Sequence, residues 1–152
     1  MRRWLTGLIS VLGLLAFAAG PAVAADDAYT SQKVVYHVNF GGDEDNWKYM
    51  ATLRNIQNHI NAVGKDKLDM RVVMNGNGLR MLQNATEDKD LAQRISNLKG
   101  QGVSFKVCAN TMEGRDISLD DLYDAWEDDI VPSGVAEVAK LQQDGFALVK
   151  TY

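Results

Sequence analysis

The stretch FKVCANTMEGR, Phe105 to Arg115, holds the single cysteine of this 152-residue chain. A thiol becomes a sulfur nucleophile only as its thiolate, so Cys108 is a centre of chemistry only if its surroundings favour the anion. Lys106, on the same face of the same run, and Arg115, just downstream, are the cations nearest in sequence. The chain has two histidines, His37 and His59. Neither stands at metal-ligand spacing from Cys108, so these residues call for no metal, and they do not assemble a cysteine-hydrolase site. His37 lies near the end of an apolar run and reads as a hydrogen-bonded, buried histidine close to any site there. His59 falls on a helix and is expected to face solvent. Cys108 itself has two readings. Free cysteine is among the most buried residue types and often only fills space. A cysteine without a partner in an exported chain is otherwise kept for chemistry or for intermolecular pairing.

Two glycine-rich turns and one acidic run compete for attention. GGDED and NGNG match neither a dinucleotide fingerprint nor a phosphate-binding loop. NGNG reads as a turn that needs positive φ. The acids from Asp120 to Asp129 read as the solvated face of a helix, with the first carboxylates favoured by the helix N-terminus.

The chain opens MRRWLTGLISVLGLLAFAAGPAVA. Arg2 and Arg3 form a basic start, an uncharged apolar stretch follows, and Ala22-Val23-Ala24 supplies the small residues of a cleavage site. This is the pattern of a secretory signal peptide over 1–24, which implies export to the periplasm. The apolar stretch falls short of the roughly 20 residues of a membrane span. Residues 25–152 suit one domain large enough to bury a core. The net charge is −4 over the whole chain and more negative once Arg2 and Arg3 are gone. Such a surface repels phosphate backbones, which argues against nucleic acid as a partner. No polybasic or amphipathic membrane-binding segment follows the leader.

The elements that must position Cys108 follow from periodicity. KVVYHVNF is a nearly continuous apolar run, as in a strand covered on both faces. Asp45 or Asn46 then caps a helix starting near Trp47, whose Met50, Leu53, Ile56, Ile60 and Val63 recur at spacings of three and four, and Gly64 ends it. Leu68 to Met74 is a second strand, and LRMLQNA is helical. KDLAQRISNLKGQG is a helix on Leu91, Ile95 and Leu98, and VSFKVCAN is the third strand. SLDDLYDAWEDD reads as a helix with Ser118 as N-cap and Asp121 answering it. DIVPSG is a short strand, GVAEVAKLQQDG a helix, and FALVKTY the last strand. Strands and helices that alternate in this way predict an α/β fold: a parallel sheet with helices on both faces. Ligands of such sheets bind beyond the carboxyl ends of the strands. The loops Asn39–Asn46, Asn75–Gly78, Cys108–Ser118 and Pro132–Gly134 should therefore share one edge, with Cys108 on it.

The chain resembles the DsrE/DsrF-like family, small α/β proteins tied to sulfur transfer, and within it the exported branch. VVYHVNF, LRNIQNHINAVG, VVMNGNGLRML, GVSFKVCANTM and DLYDAWEDDIVPSGVAEVAKLQQDGFALVKTY carry the resemblance in order and spacing. It implies a three-layer α/β/α sandwich around a five-stranded, mainly parallel sheet, and assembly as a homo-oligomer. It also implies that the cysteine at this place accepts sulfane sulfur as a persulfide and passes it on, without a cofactor. Sulfur donor and acceptor proteins, or small sulfur compounds, would be the partners. On that reading Cys108 is the catalytic residue, and Asn39, Asn75, Asn110 and Arg115, chosen by loop position, bind and orient anionic sulfur. The rival reading is a non-catalytic oligomeric module that binds a small ligand or a protein, with Cys108 structural.

Overall fold

A computed structural model of the chain describes residues 28–152. The signal peptide read over 1–24 lies outside the described residues. Strand β1 spans Gln32–Val38, β2 Leu68–Met74, β3 Ser104–Cys108, β4 Ile130–Val131 and β5 Ala147–Val149. They form one five-stranded sheet in the order β4-β3-β2-β1-β5, and every pairing is parallel. The α-helices are α1 Trp47–Val63, α2 Arg80–Asn84, α3 Lys89–Lys99, α4 Ala109–Gly114 and α5 Gly134–Gln143. Strands β1 to β4 step across the sheet in one direction, so their connections cover one face. The return from β4 to β5 carries α5 over the other face. This is the α/β/α sandwich that the alternation predicts.

Side chains alternate between the two layers, as a pleat requires. Val34, Tyr36 and Val38 of β1 face the larger core, with Leu53, Ile56 and Ile60 of α1 and Leu91, Ile95 and Leu98 of α3. Val35 and Val73 face Val138 and Leu141 of α5, with Phe146. Helix α1 ends as expected, at Gly64 with φ 91°. Its start differs in detail. Asn46 stands at the N-cap without capping through its side chain, because that amide donates to Asp88 at 3.0 Å and accepts from Asn84 at 2.6 Å. Asp88 is the working cap, accepting from the N–H groups of Asp90 and Leu91 at the start of α3.

The expected helix over Ser118–Asp129 does not form. Two 3-10 turns, Leu119–Asp121 and Glu127–Asp129, flank irregular chain in which Asp124 has φ 51°. Aspartate is a poor helix former because it bonds nearby backbone, and these acids have better partners. Lys99 pairs with Asp124 and Asp129 at 3.3 and 3.7 Å, and Lys106 pairs with Asp129 at 3.5 Å. The capping box of Ser118 and Asp121 is present, on a 3-10 turn rather than an α-helix. Among the described residues no helix is long and apolar enough to cross a membrane.

Candidate functional site

The carboxyl ends of β1, β2 and β3 finish level. Val38 is in register with Met74, and Met74 with Val107. The next residues, Asn39, Asn75 and Cys108, therefore form a row along the sheet edge. The ladder is extended into this row by Asn75 N–H, which donates to Val38 C=O at 3.1 Å. Strand order alone brings three of the sequence-derived candidates to one line.

The NGNG turn tightens the row by close approach as well as by positive φ. Gly76 does take positive φ, at 55°. Gly78 does not; it is small because the backbone of β1 passes against it. A Cβ on Gly78 would lie 1.8 Å from Val38 O. Tyr49 holds the turn from the other side, its hydroxyl donating to Asn77 C=O at 2.6 Å.

Cys108 is 4% exposed and stands at the N-cap of α4, a short helix within the stretch expected as loop. Burial by itself pushes its thiol up. Hydrogen bonds available to the thiolate outweigh this and hold it below the ordinary thiol value: from the Thr111 hydroxyl, then from the backbone N–H groups of Gly134, Thr111 and Asn110. The neutral thiol makes no cap hydrogen bond, as expected of a poor acceptor, so these donors favour the anion selectively. The Thr111 hydroxyl is oriented for its part. Its oxygen accepts from Gly76 N–H at 3.0 Å, which leaves the hydroxyl proton free for sulfur. The fourth wall is Gly134 at the start of α5, where a Cβ would meet Asn75 Cβ at 3.0 Å and Cys108 Cβ at 3.3 Å. Only glycine lets the α5 N–H come this close.

The expected cations do not supply the effect. Lys106 Nζ donates to Asp128 C=O at 2.7 Å and pairs with Asp129, and Arg115 donates to Asn77 Oδ1 at 3.0 Å. Neither is among the causes of the shift at Cys108. Asn75 flanks Gly134 together with Cys108, and its Oδ1 lies 2.7 Å from His37 Nε2. The half-buried His37 thus joins the row through Asn75. The Asn110 backbone N–H donates to Pro132 C=O at 3.4 Å and is the weakest of the donors that favour the Cys108 thiolate; its side chain is exposed. Asn39 opens instead onto a cleft beside β5. His59, expected in solvent, is half-buried. Tyr36 OH lies 2.9 Å from its Nδ1, and Gln32 Oε1 lies 2.7 Å from its Nε2. The sequence reading missed Thr111 and Gly134. The available signal was Cys-x-x-Thr directly after a strand, with the thiol where a helix cap belongs and Thr at the third helical position.

The DsrE/DsrF-like family matches over residues 33–151, which takes in all of the sheet but Gln32 and every residue of this edge. The chain belongs to the DsrE/DsrF-like family. That family is associated with sulfur relay. Among solved structures, the chain is similar to the protein of unknown function MTH1491 from Methanobacterium thermoautotrophicum. The identity is 27% and the TM-score 0.66, over 78% of this chain and 98% of that one. It also shares its fold with the ychN protein from E. coli, at 20% identity and TM-score 0.59, again over 78% and 98% of the two chains. No match was found among curated proteins. DsrE/DsrF-like membership agrees with the α/β/α sandwich and leaves the chemistry of this chain to its own residues.

Proposed function

We propose that this DsrE/DsrF-like protein is exported to the periplasm after loss of residues 1–24 and carries sulfane sulfur as a persulfide on Cys108. The observation that carries the reading is the set of donors around the Cys108 sulfur, which favours a thiolate inside a buried edge site. With thiosulfate as donor, the thiolate attacks the outer sulfur. A Cys108 S–S bond forms, the donor S–S bond breaks, and sulfite leaves with its electron pair. An acceptor thiolate then attacks the outer sulfur and Cys108 leaves as thiolate, so no net oxidant is needed. Asn75, beside Cys108, and the Asn110 backbone would steady the anionic persulfide. Arg115, held on Asn77, would screen it from the rim, and Asn39 lies two strands away along the same edge. Trp126 and Val135 remain exposed, which supports the further expectation that copies of this chain associate.

The near-complete burial of Cys108 favours one rival reading, a binding module with a structural cysteine. Intact mass after incubation with thiosulfate or polysulfide separates the two. Gain of whole sulfur atoms by the natural protein, reversed by a small thiol and absent in Cys108→Ser, is the expected result. A folded protein whose Cys108 neither gains sulfur nor reacts with iodoacetamide refutes the carrier reading.

A further inference from the structure

The strand order places the switch point of this sheet between β1 and β5, because the chain leaves β1 toward β2 and returns from β4 to the opposite side of β1. At such a point the flanking loops part and leave a crevice beyond the strand ends. The crevice is present here, as a cleft of about 170 Å³ lined by His37, Asn39, Leu148, Val149, Lys150 and Tyr152. By the spacing of strands, it lies two strands, or about 10 Å, from β3 and Cys108. It is a separate site.

Its lining has two characters. Leu148, Val149 and the Tyr152 ring are apolar, and the ring is fixed edge-on against Phe40 at 5.2 Å and Trp47 at 5.5 Å. Lys150 and the Asn39 amide bring donors, and neither side chain has a hydrogen-bond or ion-pair partner among the described residues. His37 Nε2 is already held by Asn75 Oδ1, so the ring forms a wall rather than a ligand. The volume is that of about five or six waters, enough for a head group and a short chain. We propose that this cleft binds a small organic anion, with a carboxylate-type head on Lys150 and Asn39 and a short apolar body on Leu148, Val149 and Tyr152. The inference does not rest on the reading of Cys108.

The test titrates the folded protein with acetate, propionate and butyrate and follows the backbone amide signals of residues 148–150 by NMR. Saturable shifts are expected, tightening about fourfold with each buried methylene until the cleft is full. Lys150→Gln should weaken every member of the series by about two- to fivefold, the range of an exposed ion pair. Leu148→Ser should flatten the dependence on chain length. Both positions are exposed, so both variants should fold, which circular dichroism checks. Shifts that stay linear in ligand, equal binding of butyrate and butylammonium, or a series indifferent to chain length would each overturn the proposal.

Discussion

Replacing Gly78 by alanine tests how the edge site is built. The added Cβ would stand 1.8 Å from Val38 O, whereas contacts under 3.0 Å are essentially never adopted. The turn or β1 must therefore move by more than an ångström, and neither is a flexible side chain. Val38 O accepts the Asn75 N–H bond that carries the ladder into the site row, so the movement breaks that bond in a buried place. Leu79, fully buried in the next position, is dragged with it. Overpacking costs about 1–3 kcal/mol, and a buried carbonyl left without its donor costs about 1–3 kcal/mol more. Together they make a loss of roughly 4 kcal/mol, a large share of the 5–15 kcal/mol typical of a domain. Urea unfolding of Gly78→Ala measures it. Gly114→Ala is the control: a Cβ there meets nothing within 4 Å, and the change should be neutral or stabilising by about 0.4–1 kcal/mol. A Gly78→Ala protein within about 1 kcal/mol of the natural one would refute the close-approach argument and the rigid edge drawn from it.

Three further outcomes follow from the same geometry. The Cys108 thiol is held below its unfolded value of 9.0, so the folded state releases this proton more readily. Relative to Cys108→Ser, stability should rise as pH climbs through the folded thiol pKa and level off above 9.0, and the rise should shrink in Thr111→Val; urea midpoints across pH give the curve. His59 is held below 6.5 by burial, so the unfolded chain takes up its proton first. Stability should fall as pH drops through 6.5, and His59→Gln should flatten that limb. Burial raises Tyr36 and Tyr49 to about 12, so an alkaline absorbance titration should show both phenols resisting ionisation until that pH or until unfolding. Ordinary titration of all tyrosines in folded protein would contradict their packing.

Much of the fold was legible because long elements repeat their apolar spacing. Leu53, Ile56, Ile60 and Val63 mark the buried face of α1, and Leu91, Ile95 and Leu98 that of α3. Short elements offer no such repeat. Helix α4 has six residues and buries none of them, so ANTMEG carries no period to read. SLDDLYDAWEDD spaces its apolar residues as a helix does, yet Lys99 and Lys106 reach it from α3 and β3 and hold its acids in an irregular path. His59 follows the same rule: its i-position on α1 looks exposed until Tyr36 and Gln32 of β1 are laid beside it.

The sequence by itself determined the alternation of strands and helices, and alternation is enough to put Asn39, Asn75 and Cys108 on one edge. Local propensity and periodicity act within an element, so they are written in consecutive residues. What makes the edge a site was decided by tertiary structure. Gly134 lies well downstream of Cys108, and Gly76 well upstream, yet one presents its N–H to the sulfur and the other fixes the Thr111 hydroxyl that does the same. The thiolate is favoured by fixed dipoles from separate loops rather than by the neighbouring cations. Dipoles act over short distances and in set directions, and only the folded sheet brings them to the right distance and angle.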